Sequence, residues 1–455
     1  MPSSRNHTPR ILLILSLLAV GAALCASLYP VEASAVAKQL LGFPDSDVPS
    51  NEARPYVLAA LCFIPALAAV FYSIGDTLDR YITRQFVTIF SICIFALFVI
   101  WLLIDLGDNF SDFKESKSVL VTIAKYYATR LPAILILLMP YSLLLSLLYS
   151  LGKLSTSREI IAVIQSGRGV VRTTRPLMIV GALCTLFCMG INYHWGPVAE
   201  GQRDNVVAQG AGKSATEASK VLYLNQDNHR LWMIGEFPPN YEYGMPLQDV
   251  EVTLTNPDRS VHSRLTAASA KWNRHTREWT FEKPVVGRFT AGSPPEFTKL
   301  DQPLVLANWS ETPWQLIKPG LSARYLGIPD LNTWLQANQR HHGFADPSPY
   351  LTHRQYRWAQ PFTCIITVLL AAPLAIHFAR RGAGGEMFLA VVLSAVMLFV
   401  NNISLALGEA GTLSPVTAAW LPNIMFGLLG LYLFHRRIAG RPIYQSLCRL
   451  MPGSD

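Results

Sequence analysis

Long apolar runs that stop for one extended polar stretch and then resume constrain this chain more than any single motif does. Five runs come first, at Ile11–Leu28, Tyr56–Ile74, Phe86–Ile104, Leu131–Leu151 and Pro176–Ile191. A polar island punctuated by proline extends from about Trp195 to Gln360, and three more runs follow at Phe362–Phe378, Met387–Leu407 and Val416–Phe434. At about 1.5 Å per helical residue such runs cross a hydrocarbon core of about 30 Å; the last before the island is short and extends toward His194. Soluble cores do not need so many runs of this length. The fold class expected is an α-helical polytopic membrane protein of about eight spans, two of them ahead of a six-span core, with one inserted all-β extramembrane domain.

Composition agrees, with 51% apolar and only 15% charged residues, and the placement of charge orients the chain. Arg5, Arg10, Arg80, Arg84, Lys153, Arg158, Arg168, Arg172, Arg175, Arg380, Arg381, Arg436, Arg437 and Arg441 fall in alternate connections. The other short connections hold Glu32, Asp45, Asp47 and Glu52, then Asp105, Asp108, Asp112 and Glu115, then Glu409. The positive-inside rule makes the first set cytoplasmic, so both termini are inside and the island is outside. The formal charge of +8 borders membrane spans, which leaves a nucleic-acid role without support. Arg5 and Arg10 ahead of the first run, with Ala33-Ser34-Ala35 after it, have the form of a signal peptide, but the run is long for one and a retained helix is favoured.

Several motifs are excluded or left ordinary. None of the seven cysteines lies in the island, so no disulfide framework holds it; Cys184 and Cys188, one turn apart inside a span, read as small membrane residues. Gln209-Gly210-Ala211-Gly212-Lys213-Ser214 imitates the end of a phosphate-binding loop, but Val207 stands where that loop needs its first glycine. There is no His-Glu-x-x-His, no Gly-x-Ser-x-Gly and no intramembrane catalytic dyad, and no cofactor is implied. Asn401 and Asn402 are the most polar residues at membrane depth; interhelical hydrogen bonding explains such residues more often than catalysis. Asn308-Trp309-Ser310 is a glycosylation acceptor only in a eukaryotic secretory setting.

The island reads as β structure. Val250, Val252 and Leu254 alternate with Glu251, Thr253 and Thr255, and Trp279 and Phe281 with Thr280 and Glu282, the period of half-buried strands. Lys271–Trp279 reads as two strands around a polar turn, with further strands at His229–Phe237 and Val285–Phe289 in an antiparallel sandwich or open barrel. Trp232, Trp272, Trp279 and Phe281 are candidates to line its interior, where ordinary core packing is as good a reading. After Pro319, Asp330 is placed to cap a short helix through Ala337 and Thr352 a second, basic one.

Between the second and third core spans lies Gly152-Lys153-Leu154-Ser155-Thr156-Ser157-Arg158-Glu159-Ile160-Ile161-Ala162-Val163-Ile164-Gln165-Ser166-Gly167. Thr156 and Glu159 fit a capping box and Gly167 a stop, giving a short cytoplasmic helix over about 156–167. Ile160, Ile161, Val163 and Ile164 are more apolar surface than a solvated loop exposes, so the helix must bury against headgroups, the bundle or another protein. Glu159 either caps this helix or serves such a contact.

These residues carry a resemblance to the lipopolysaccharide-export permeases of the LptF/LptG family. It begins at Leu78-Asp79-Arg80-Tyr81-Ile82 and Phe86, runs through Tyr126-Tyr127-Ala128-Thr129-Arg130-Leu131-Pro132 and Met139-Pro140, and includes Gly-Lys-Leu and Ser-x-Glu ending at Gly167. Three spans, a β-domain and three spans follow in the family's order, over about 78–440, and Leu326–Pro361 leans toward the LptG side. The resemblance implies a non-enzymatic permease subunit of an ABC transporter in the bacterial inner membrane, extracting lipopolysaccharide and handing it through a periplasmic jellyroll-like domain to a bridge. It implies as partners a cytoplasmic LptB-like ATPase dimer, a paralogous permease (an LptF/LptG pair), a single-span LptC-like protein and a periplasmic LptA-like bridge. The family's coupling glutamate falls on Glu159, with Arg158, Ile160, Ile161 and Gly167 around it. Independently, no cytoplasmic segment here is long enough to be an ATPase.

The expected organisation is therefore 1–77, an N-terminal extension with two spans; 78–194, core spans one to three; 195–325, the β-domain; 326–360, a helical connection; 361–440, core spans four to six; and 441–455, a tail. Phe86–Ile104 and Met387–Leu407 border the lateral entrance by resemblance. Two departures stand out. The first two spans have no counterpart in a six-span core, and the outer end of the first core span, Trp101-Leu102-Leu103-Ile104-Asp105-Leu106-Gly107-Asp108, is acidic where some members are basic. Trp101, Lys114, Lys117, Asn401 and Asn402 are the candidates for the lipid path in the membrane. The rival readings are a permease for another envelope lipid or lipoprotein, and an intramembrane enzyme with a sensing domain. Single cysteines introduced at Lys153 or Arg175 are expected to react with an impermeant maleimide only from the cytoplasmic face, and one at Asp249 only from the opposite face; the reverse pattern would overturn the topology.

Overall fold

The computed structural model describes residues 8–42, 47–114, 118–157, 159–165, 169–202, 206–207, 218–225, 228–238, 241, 245–256, 260–273, 275–289, 294–307, 309, 311–317, 322–340, 346–376 and 383–439. Arg158, Gly167, Lys117, Asn308, the Gln209–Ser214 stretch, the basic Arg5, Arg168, Arg380 and Arg381, and the tail all lie outside them. In chain order come α1 (Thr8–Gly42), α2 (Val48–Ile74), α3 (Thr77–Asp108), α4 (Phe110–Lys114), α5 (Val119–Thr156), α6 (Glu159–Gln165), α7 (Val170–Tyr193) and α8 (Trp195–Gly201). After the sheet follow α9 (Pro313–Ile317), α10 (Ile328–Arg340), α11 (Ser348–Ala359), α12 (Thr363–Ala375), α13 (Ala383–Glu409) and α14 (Pro415–Ile438). Among the described residues, eight segments are long and apolar enough to cross a membrane: α1, α2, α3, α5, α7, α11 running on into α12, α13 and α14.

Local chemistry explains the helix ends. Asp76 and Asp79 form a reciprocal capping box at the start of α3. Ser414 accepts from Thr417 N at 3.3 Å ahead of Pro415 in α14, whose last turn carries His435, Arg436 and Arg437 against the helix dipole. The bundle is built around α12, on which Val368, Leu370, Ala371, Ala372 and Leu374 are all buried. It packs with Leu143, Leu147 and Leu151 of α5, Leu177 of α7, Met397 of α13 and Phe426 of α14. Gly181 lets α7 approach α12 closely, because a Cβ there would sit 2.7 Å from Val368 Cγ2. Lipid tails are as apolar as these side chains, so close packing and internal hydrogen bonds hold the helices together.

The α1–α2 hairpin is a fixed part of this bundle. Gly190 of α7 receives Leu61 of α2, whose Cδ2 lies 2.4 Å from where a Cβ would be. Near the closed end of the hairpin, beside the α1–α2 connection, Arg54 pairs with Glu32 at 2.5 Å and donates to Gln39 Oε1 at 2.7 Å. Gln39 donates in turn to Asp330 Oδ1 at 3.4 Å, and His194 Nδ1 lies 3.4 Å from Asp330 Oδ2. Burial acts to raise the Asp330 carboxyl, but His194, Arg54 and Gln39 outweigh it and hold it below the ordinary carboxylate range. Asp47 N donates to Thr333 Oγ1 at 3.0 Å, and Asn332 Nδ2 to Ser50 Oγ at 2.8 Å.

Two helix starts differ from expectation. Asp330 lies in the first turn of α10 rather than at its cap, because its carboxylate is engaged by His194. Thr352 is buried inside α11, which begins at Ser348 behind Pro347. α1 runs unbroken through Ala33–Ala35.

The inserted domain is one antiparallel sheet of eight strands. β1 (Ala218–Asn225), β2 (Arg230–Phe237), β3 (Leu247–Thr255), β4 (Val261–Asn273) and β5 (Glu278–Glu282) are neighbours in chain order. β6 (Val285–Arg288) and β7 (Glu296–Lys299) branch from β4, while β8 (Leu304–Leu306) pairs with β5. The predicted hairpin is present, with Trp272 opposite Trp279 and Asn273 opposite Glu278. Val250 and Val252 are fully buried, as the alternation requires.

Gly190→Leu is expected to destabilise the protein by about 1–3 kcal/mol by pushing the hairpin off α7. Gly107, which has open space where a Cβ would go, should accept Ala with little change. Thermal unfolding of the purified variants checks both.

Candidate functional site

Beside the inserted domain, a cavity of about 510 Å³ opens in the helical core. α3 contributes Trp101, α5 contributes Arg130 and Tyr141, and α7 contributes Asn192. Arg324, His353, Arg357, Asn401, Asn402 and Glu409 complete its polar rim. Of the residues expected from sequence on the membrane lipid path, Trp101, Asn401 and Asn402 meet here. Neither asparagine side chain makes a hydrogen bond among the described residues, so the interhelical bonds expected of them are absent there. Lys114 sits instead over the Phe110 ring, 4.7 Å from its centroid, on α4.

The cation at this end of the first core span is Arg130, from the second. Its Nη1 donates to Asp105 Oδ1 at 2.9 Å and to the Tyr126 hydroxyl at 2.6 Å, and its Nη2 lies 3.4 Å from Glu200 Oε2. Its guanidinium also lies over Trp101, 5.1 Å from the ring centroid. The acidic end of α3 and Arg130 therefore form one balanced cluster. Sequence reasoning missed it, although an arginine directly ahead of an apolar run, at the edge of a span, implies an acidic partner at the same depth.

Two further groups shape the rim. His353 Nε2 and Glu409 Oε1 are 2.6 Å apart and tie α11 to α13. Arg357 is buried, with its Nε donating to Leu326 O at 3.3 Å and its Nη2 to Arg324 O, so backbone carbonyls satisfy a charge that has no carboxylate partner among the described residues. Asn192 Nδ2 donates to Arg357 O at 2.7 Å and Asn423 Nδ2 to Ala359 O at 2.6 Å, fixing α11 against α7 and α14. Arg324 itself is exposed at the mouth.

At the opposite end, α6 begins at Glu159, and Thr156 belongs to the last turn of α5. Glu159 is thus the first residue of α6 rather than its third, so the register of the expected capping box does not hold. Glu159 Oε2 instead accepts from the Tyr81 hydroxyl of α3 at 2.9 Å, and Oε1 from Ser157 Oγ at 3.0 Å. Glu159 is exposed; Ile160 and Ile161 lie on the same helix, their side chains outside the described residues. In the sheet, Trp232, Trp279 and Phe281 are fully buried and Trp272 partly so, with Trp232 and Trp279 5.1 Å apart. Trp279 Nε1 donates to Glu311 O at 2.8 Å, and Arg230 pairs with Glu311 at 3.0 Å. These aromatics form a packed core.

Eight membrane-spanning segments, an inserted antiparallel sheet and a cavity beside it define a polytopic helical membrane protein with a β-domain. The chain belongs to the LptF/LptG family: the profile of the lipopolysaccharide export system permease LptF/LptG matches residues 80–436. Similar proteins include the lipopolysaccharide export system permease protein LptF of Escherichia coli (strain K12) and that of Shigella flexneri. Each is 22% identical over 310 residues, covering 65% of this chain and 78% of the relative. The lean toward LptG gains no support from them. The match begins after the α1–α2 hairpin.

Arg130→Met is expected to cost about 3–5 kcal/mol, since it leaves Asp105 and Glu200 without their cation, and Arg130→Met with Asp105→Asn should recover part of that loss. Chemical denaturation in detergent measures both.

Proposed function

We propose that this chain is one permease of a lipopolysaccharide exporter, drawing the lipid from the inner membrane through the cavity beside α3 and α13 and passing it to the β-domain. The observation that carries this reading is the rim of that cavity. Arginines 130 and 324 and the paired His353 and Glu409 stand over an apolar wall that includes Ile134, Leu137 and Leu398. An amphipathic lipid has complementary parts, with phosphates for the guanidinium groups and acyl chains for the wall. Arg130 is already paired, so a lipid phosphate would replace Asp105 or Glu200 rather than meet a bare charge. Such an exchange makes binding reversible, which transport requires.

In this reading Glu159 is the coupling residue toward an LptB-like ATPase dimer. Its bond to Tyr81 supports that role, because it links α6 directly to the first core span. A paralogous permease covers the open side, where α3 exposes Ile92, Phe95, Ile100 and Leu103. A single-span LptC-like protein and an LptA-like bridge act downstream. Passage of acyl chains through the sheet requires its faces to part, since Trp232, Trp279 and Phe281 fill the interior.

The test uses the permease pair with its ATPase in proteoliposomes, with a photo-crosslinking residue at Leu398 or at Trp272. Lipopolysaccharide adducts are expected at Leu398 without ATP and at Trp272 only with it. Glu159→Ala should retain the first adduct and lose at least about tenfold of the second, the size of one lost charge-assisted contact. Export at the normal rate with no adduct at either position would overturn the reading, and normal transfer by Glu159→Ala would remove the coupling role.

A further inference from the structure

A second cavity, of about 690 Å³, lies between the α1–α2 hairpin and the family core, at the end of the bundle away from the sheet. α2 and α3 are joined through Gly75 and Asp76 and then diverge, α2 leaning on α7 while α3 leans on α5. The wedge between them is apolar along its depth, with Leu17 from α1, Phe71 from α2, Phe90 from α3 and Leu183 and Phe187 from α7. From Arg172 to Phe187 along α7 it runs roughly 22 Å, deeper than the about 15 Å of one hydrocarbon leaflet.

Its mouth is basic. Arg80, Arg84, Arg172 and Arg175 line it, against the carboxylates of Asp76 and Asp79. Arg172 is paired with Asp76 at 3.1 Å, and Asp79 caps α3. Arg80 Nη2 donates to Thr77 Oγ1 at 3.2 Å, while its Nη1 is buried with no hydrogen-bond partner among the described residues. Arg84 and Arg175 are exposed and, among the described residues, have no carboxylate within ion-pair distance. A long apolar slot under unmatched guanidinium groups fits one kind of ligand.

We propose that this crevice binds an anionic phospholipid of the cytoplasmic leaflet, its acyl chains between α2, α3 and α7 and its phosphate at Arg80, Arg84 and Arg175. The inference rests on the membrane orientation given above, not on the identity of the exported lipid. The lipid fills the gap that the hairpin leaves against the core, so the hairpin and a leaflet lipid together seal this flank of the permease. Its volume lies within the range of ligand pockets, about 300–1,000 Å³. Arg80 is followed in α3 by Tyr81, whose hydroxyl holds Glu159. Membrane charge is thereby brought close to the contact that fixes α6.

The full chain is purified in detergent with equal amounts of phosphatidylglycerol and phosphatidylcholine carrying the same acyl chains, and retained lipid is read by native mass spectrometry. The wild type should retain phosphatidylglycerol over phosphatidylcholine by about tenfold, and R84Q/R175Q should lose most of that preference, as expected for two basic residues at a headgroup. R84K/R175K should keep it. Val87→Trp with Leu183→Trp, which fills the slot and leaves the charges, should reduce retention of both lipids. Glycerol phosphate, charged but without chains, should not be retained. Equal retention of the two lipids by the wild type, an unchanged preference in R84Q/R175Q, or retention of glycerol phosphate would each overturn the proposal. The readout needs neither lipopolysaccharide nor ATPase, so its failure and a failure of the export reading are separately visible.

Discussion

Hydrocarbon offers a polar group no partner, and the arrangement of this bundle follows from how its few charges find partners inside the protein. Arg130 reaches across to the end of α3 and to Glu200 of α8, so one guanidinium ties the start of the second core span to the exit of the third. Arg357 turns into its own junction and is satisfied by carbonyls of the segment before α10. Arg54 holds both arms of the N-terminal hairpin, through Glu32 and Gln39. Each pairing sits at the end of the membrane segments nearest the inserted sheet. The middle of the bundle, around α12, is dominated by apolar packing, and Arg437 donates to Pro373 O at 2.7 Å near the other end of that helix.

In the proposed reading, that division sets where transport acts. The apolar middle supplies a wall, and the charged end supplies reversible contacts around the cavity. The far end carries α6, which the Tyr81–Glu159 hydrogen bond links to α3. The proposed function puts a lipid site at one end of this geometry and an energy input at the other, and membership of the LptF/LptG family is compatible with that proposal. The hairpin outside the family match adds a third element, a crevice whose charge faces away from the cavity.

Much of this was legible in the residues. Apolar run length identified the spans, because each must match a bilayer, and period-two alternation identified β3 and the Trp272–Trp279 hairpin. Helix starts at Asp330 and Thr352 were misread for one reason: both residue types favour caps, but here tertiary partners claimed them, His194 for one and the packed faces of α13 and α14 for the other. Glu159 was found as a charged residue on a short helix, whereas its partner Tyr81, far away in sequence, was not. Trp101 was picked for its place at a span end, yet Arg130 beneath the same argument was passed over as part of a motif. Pairings of distant residues have no periodicity, so pattern alone does not reveal them. The interior of the sheet was readable as aromatic, but not whether those rings line a groove or close it.

The α1–α2 hairpin is fastened at both of its ends. Near the sheet it is bonded to α10 through Asp330, Thr333 and Asn332, and at the other end α2 passes into α3 within two residues. A rod held this way has no slack along its length. If α3 tilts when α6 is displaced, the movement reaches α10 on the far side of the membrane as a pull on its first turns. Such a movement would make the extension a tie-bar, a mechanical connection between the two ends of the bundle that runs outside the cavity beside α3 and α13.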